Sequence, residues 1–275
     1  MSNDRIEQYL DGLDHIVLAV QDLDDAADAW RKAGFVVSPR GVHSEFMGTA
    51  NHTIMFQDDY IELLGVLSET KFNLPTRSFL SAGEGLERMA MRGQESAKAV
   101  AALQSDGVAA TGPVDFRRPL VLADGTASEA AFRIFHWPDE PAPGGARLFA
   151  CEHLTRDTVW LPELMAHPNG ARGVRQVEVR VDAPEAEAAT LARLLGLSAA
   201  PDAKGGMRVQ MKPRGADIVY RTASDFDRLW GEHATSCTVV IETDALAAAT
   251  DICAKNGNAA TSTMQVAGAT IAFVP

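Results

Sequence analysis

Leu13-Asp-His-Ile-Val-Leu-Ala-Val20 is a short apolar run with two polar residues, Asp14 and His15, near its start, which reads as a β-strand. The pattern then changes to the helical period. Ala26, Ala27, Trp30 and Ala33 form one stripe, Asp22 stands where an N-cap belongs, and Gly34 suits the left-handed residue that ends a helix. Three more strands are predicted over residues 35–39, 51–56 and 60–66, with Asp58-Asp59 turning the last pair. The order is βαβββ.

The same order returns three times. A second unit runs from a strand at 86–92 through an alanine-rich helix at 95–105, stopped by Gly107, to strands at 114–117, 130–137 and 147–153. A third has a strand at 174–181, a helix at 184–195 opened by Pro184 and stopped by Gly196, and a strand at 217–221. The fourth has a strand at 236–242, a helix at 244–256 before Gly257, and two short strands up to Pro275, which leaves it one strand short. Strand-to-helix-stop spacing is about 19 to 20 residues each time, the self-similarity of repeated supersecondary units. The expectation is an α+β fold of tandem βαβββ modules pairing into two domains, the last module truncated. Residues 1–165 hold modules 13–66 and 86–153, residues 172–275 hold modules 174–222 and 236–275, and the boundary falls in the turn-rich stretch 166–171. Residues 138–145 read as a loop inside the second unit.

Composition narrows the function classes. With 275 residues, 46% hydrophobic and 23% charged, the chain is long enough for one large domain or two ordinary ones and has a globular balance. No apolar run approaches the roughly 18 to 20 residues of a membrane span, and the N-terminus lacks a basic-then-apolar leader, so no membrane partner and a cytoplasmic location are expected. A formal charge of −12 repels phosphate backbones and argues against nucleic acid. Cys151, Cys237 and Cys253 are widely spaced and read as reduced packing residues. There is no phosphate loop, dinucleotide fingerprint or Gly-x-Ser-x-Gly elbow.

The candidate chemistry lies in the first two units. His15 and Glu62 sit in apolar strands, where an inward polar group needs a partner, and two such groups could hold a divalent metal. The plainer alternative is a strand histidine bonded to backbone and an exposed glutamate. His43, Asn51 and His52 could border the same cleft and meet a substrate oxygen, or could belong to the turn and strand around Gly48. Cys151 and His153 share a strand face, which allows either an activated thiol or a buried structural one. His167 reads as turn chemistry.

Paired βαβββ units, the opening Leu-Asp-His-Ile-Val-Leu-Ala-Val and the closing Tyr60-Ile-Glu-Leu-Leu-Gly65 resemble the vicinal oxygen chelate superfamily, in its glyoxalase-like branch. That superfamily includes glyoxalase I, extradiol dioxygenases, epimerases and drug-binding resistance proteins. The resemblance implies a cleft shared by two curled units, with metal ligands from the first and last strands of each. Carried over by position, it implies His15, Glu62 and Glu152 as ligands of a divalent iron, manganese, nickel or zinc ion, and Glu152 or His153 as the proton-moving group. Arg88 stands at the place matching His15 and departs from the pattern, because guanidinium stays cationic and does not coordinate a metal. It could instead grip an anionic substrate or pair with a carboxylate. In the second pair Gln176 matches His15, Val219 lies near the match to Glu62 and Ala272 near the last ligand place, so that pair keeps the architecture without the chemistry and could pack on the first or form a homodimer contact. Two functions follow: a metal-dependent small-molecule isomerase, lyase or dioxygenase, or a metal-free binding and sequestration protein of the bleomycin-resistance type.

Overall fold

The computed structural model describes residues 5–121, 125–211, 215–257 and 261–275. The first half contains β1 (Leu10–Ala19), α1 (Leu23–Lys32), β2 (Gly41–Val42), β3 (Thr49–Met55), β4 (Tyr60–Val66), α2 (Leu74–Ala82), β5 (Gly85–Gly93), α3 (Ser96–Ser105), β6 (Thr111–Val121), β7 (Ala127–His136) and β8 (Arg147–His153). Its eight strands form one mixed sheet in the order β2-β3-β4-β1-β5-β8-β7-β6. The first strands of the two units, β1 and β5, pair antiparallel at the centre, while each pairs in parallel with the last strand of its own unit. The sheet curls, so strands from both units line one concave face. The fold is that of paired βαβββ modules, as expected.

Local chemistry explains the elements. Asp22 caps α1 by accepting from the backbone N–H groups of Asp24 and Asp25, and Ala26, Ala27 and Trp30 are buried. Gly34 follows at φ +83°, where a Cβ would stand 2.7 Å from Ile252 Cδ1, so both conformation and close packing require glycine. The segment 35–39 is not a strand. Pro39 has no N–H for a ladder, and the chain touches β3 through Ser38 N–H to Thr53 O before pairing as the two-residue β2. Two helices were not expected: α2, and a helix at Ala223–Trp230 in the second half, which Thr222 caps by accepting from Asp225 N–H.

The second half contains β9 (Ala171–Arg180), α4 (Pro184–Leu195), β10 (Ala199–Pro201), β11 (Met207–Val209), β12 (Asp217–Arg221), α5 (Ala223–Trp230), β13 (Cys237–Thr243), α6 (Leu246–Lys255), β14 (Thr263–Val266) and β15 (Ala269–Val274). These strands form a seven-stranded sheet, β10-β11-β12-β9-β13-β15-β14. No helix among the described residues is long and apolar enough to cross a membrane.

One buried cluster joins the two halves, taking Ile16 and Trp30 from the first and Val177, Leu191 and Phe273 from the second. Trp30 Nε1 donates to Ala267 O, and Trp137 Nε1 donates to Leu194 O. In the stretch 166–171, the buried His167 and Asn169 clasp the first unit. His167 accepts from Val36 N–H and donates to Met55 O, and Asn169 donates to Ala33 O.

The second sheet fills the place where the first has a cleft. Asp217 pairs with Gln176 as Tyr60 pairs with His15, so Gln176, Glu178, Asp217 and Arg221 take the positions of His15, Val17, Tyr60 and Leu64. They form a polar plug. Arg221 and Glu178, both wholly buried, are ion-paired, Asp202 also pairs with Arg221, and Trp230 of α5 donates to Glu178 Oε2 at 2.7 Å.

Asp59, in the β3–β4 turn, is buried against β9 and accepts from Val174 N–H. Burial pushes its carboxyl up to about 7 against the pull of that bond. The folded protein therefore holds a proton that the unfolded chain releases near pH 4, so this group's stabilisation is present below pH 4 and is lost as pH rises to 7. At about 1.4 kcal/mol per unit, the loss is on the order of 4 kcal/mol. Asp59→Asn keeps the acceptor without the charge. Its denaturant-derived stability is expected to exceed wild type at pH 8 and to vary less from pH 4 to pH 8; equal pH slopes would contradict this.

Candidate functional site

Strand alternation puts His15 and Val17 of β1, Tyr60, Glu62 and Leu64 of β4, and Thr49, Asn51 and Thr53 of β3 on the concave face, where they line a cleft of about 960 Å³ including its open mouth. The second unit closes the cleft with Arg88 of β5, Phe149 and Cys151 of β8, and residues of β6 and β7. The walls are mainly apolar and a few polar groups converge, as in small-molecule sites.

His15 lies at the centre. At a register shift between Leu13 and His15, the wholly buried Asp14 turns its carboxylate to the His15 ring, and His15 Nδ1 donates to Asp14 Oδ2 at 2.8 Å. His153 Nε2 donates to the same oxygen at 2.9 Å, and Arg92 Nε donates to Asp14 Oδ1 at 3.2 Å. Burial raises the Asp14 carboxyl, but the charge of His153 and the bonds from both imidazoles outweigh it and hold the group well below the usual carboxylate range. An anionic Asp14 fixes a proton on His15 Nδ1 and leaves Nε2 as the nitrogen that faces the cleft.

Around Nε2 stand Glu62 Oε2 at 3.5 Å and the Tyr60 hydroxyl at 3.4 Å, with the Tyr60 ring stacked on the imidazole at 4.1 Å. Asn51 Nδ2 donates to Glu62 Oε1 at 2.9 Å and sets the carboxylate's orientation. Burial first, and then the charge of Asp14, push the Tyr60 phenol well above its ordinary value, so it remains a proton-bearing donor. His43 is bonded to Thr49 Oγ1, and burial lowers its pKa, favouring the neutral ring. Arg118 of β6 lines the cleft with no ion pair or hydrogen bond from its side chain to a described residue. It passes so close to Gly41 that a Cβ there would stand 2.2 Å from Arg118 Nη1 and 2.5 Å from Asn51 Oδ1.

The structure thus brings together His15, Glu62, Asn51, His43 and Arg88, and places His153 behind His15. Two expected residues point elsewhere. Glu152 lies one position from the cleft-facing Cys151, and its carboxylate accepts from Ser96 N–H and Oγ–H at the start of α3. His52, between Asn51 and Thr53, faces the opposite side and donates through Nδ1 to Ser38 O. Sequence reasoning did not find Asp14, Tyr60, Arg118 or His136. Tyr60 carried a usable signal, being two residues before Glu62 on the same face.

The donor set bears on a metal. At the superfamily position the first unit supplies His15 and Glu62, but the second supplies Arg88 and, opposite Ala90, Phe149, neither of which ligates, and Glu152 is turned away. Two donors beside a guanidinium do not fit a tightly held divalent ion. Asp14, Cys151 and His153 do bring three ligand-type atoms within 4.8 Å of one another, a group able to hold a metal ion. There Asp14 Oδ2 already accepts from two imidazoles, and burial pushes the Cys151 thiol well above its ordinary value, so a cation would have to displace a hydrogen bond and a proton.

A family model described as a glyoxalase-like domain matches residues 13–195. No curated protein matches the chain. Among solved structures, a hypothetical protein from Staphylococcus aureus superposes with a TM-score of 0.70 at 13% identity, covering 96% of this chain and 98% of that one, a likeness of fold over both halves. Methylmalonyl-CoA epimerase from Mycobacterium tuberculosis gives a TM-score of 0.42 at 20% identity, covering 58% of this chain and 97% of that one. The Streptomyces coelicolor epimerase in complex with 2-nitronate-propionyl-CoA gives 0.40 at 22% identity, covering 53% of this chain and 99% of that one.

Proposed function

The chain belongs to the glyoxalase-like domain family, and from that membership and the cleft's geometry we propose that it is a small-molecule enzyme that moves a proton on a carbonyl substrate, with His15 as the base. The observation that carries this reading is the His15 ring, held at Nδ1 by Asp14 with Nε2 on the cleft side beside the Glu62 carboxylate and the Tyr60 hydroxyl. In the proposed step, Nε2 takes a proton from carbon beside the carbonyl. The electron pair moves to the carbonyl oxygen, which the Tyr60 hydroxyl stabilises, and Asp14 stabilises the imidazolium that forms. Return of the proton to a different carbon, or to the other face, gives an isomer with no redox change.

A second reading, favoured by the Asp14, Cys151 and His153 grouping, keeps a divalent cation in or beside the cleft. The test is a panel of 2-oxo acids, 2-hydroxy ketones and 1,2-dicarbonyl compounds incubated with the protein in deuterium oxide and read by proton NMR. At least one is expected to gain carbon-bound deuterium with wild type and not with His15→Gln. Tight binding without exchange across the panel would instead support a sequestration protein.

A further inference from the structure

The cleft does not end at Phe149. Arg88, His136, Phe149 and Phe72 line it and also line a second, contiguous hollow of about 840 Å³ including its mouth, which reaches Arg147, Thr111 and Trp137. The dividing groups are chemically unlike the walls of the main cleft. Arg88 and Arg147 both contact the buried carboxylate of Glu87, and both place an Nη2 near Thr76 Oγ1, at 2.9 and 3.5 Å. Two guanidinium groups thus share one buried carboxylate; the other acid on Arg147, Asp139, is largely exposed and screened by water. Arg88 Nε lies 2.7 Å from Glu87 Oε2 but is not aimed at it, so neither atom has a directed hydrogen bond. His136, stacked on Phe149, makes no side-chain hydrogen bond to a described residue. In a chain of net charge −12, two guanidinium groups and an unbonded imidazole thus surround the hollow against one buried carboxylate.

We propose that this annex binds the oxyanion end, a phosphate or a carboxylate, of an elongated substrate whose reacting end lies at His15. The proposal rests on the reading of the cleft given above and adds the substrate class: a carbonyl compound with a terminal anion. Burial first, and then Arg88 and Arg147, push His136 down to about 4, so at neutral pH it offers a neutral ring N–H while the arginines supply the charge. Bidentate geometry suits guanidinium to either oxyanion.

The probes are inorganic phosphate and malonate, titrated separately by calorimetry at low ionic strength into the full chain. Millimolar or tighter binding is expected for at least one, and the tighter of the two identifies the oxyanion. Arg147→Gln should weaken it at least fivefold. Because that change leaves Glu87 with one partner fewer, Thr111→Trp provides a second variant: Thr111 is exposed, so a bulky side chain there fills the hollow without disturbing the core, and a similar loss is expected. His15→Gln should leave oxyanion binding unchanged, which separates this site from the proton-transfer chemistry. No binding of either anion, binding insensitive to Thr111→Trp, or binding lost on Arg118→Gln instead would overturn the annex while leaving the reading of His15 to its own exchange test.

Discussion

His15→Gln is expected to lower kcat for proton exchange by about a thousandfold, within the range of roughly 10² to 10⁴ attributed to a positioned acid or base. Glutamine keeps an amide that can donate to Asp14, so circular dichroism and the unfolding midpoint should change little, while the cleft loses its basic nitrogen. Asp14→Asn should act through His15. It removes the charge that fixes the Nδ1 proton and stabilises the imidazolium, so a fall of about a hundredfold in kcat with little change in KM is expected. If KM rose for both variants while kcat stood still, His15 would be a binding group rather than the base.

The largest expected effect on stability lies in the other half. Arg221→Met should cost about 3 to 5 kcal/mol in denaturant unfolding, because it strands the wholly buried Glu178 carboxylate without its cationic partner, while Asp202 keeps Arg208. The double variant Arg221→Met with Glu178→Leu should recover a large part of that loss, since removing both charges also removes their desolvation penalty. A single variant as stable as wild type would show that the plug is hydrated rather than buried. At the positions that hold His15 and Tyr60 in the first sheet, the second holds Gln176 and Asp217, both tied to Arg208.

Much of this was legible in the residues. The apolar strands at 13–20 and 60–66 marked His15 and Glu62 as a candidate inward pair, and glycines stopping helices at regular spacing exposed the repeat. Register was the limit. At β8 a shift of one residue decides between Cys151 and Glu152, and nothing local in Phe149-Ala-Cys-Glu-His153 sets it; the outcome depends on parallel pairing with β5. His52 failed for the same reason. Asp14 drew no reading at all, and the register shift that turns it to His15 and His153 arises where β1 meets β5, a contact between units distant in the chain. Arg118 was missed because the strand was read as residues 114–117, whereas β6 runs on through Pro119 as an edge strand, where proline is tolerated.

The most direct test of the central claim is the rate of carbon-bound deuterium incorporation into the best substrate, measured on one preparation before and after exhaustive removal of metal, with elemental mass spectrometry of both samples. The account predicts equal rates before and after stripping, substoichiometric metal throughout, and loss of exchange in His15→Gln. A rate that collapses on stripping and returns with added iron, manganese, nickel or zinc would contradict it and make a bound cation, rather than His15 held by Asp14, the centre of the chemistry.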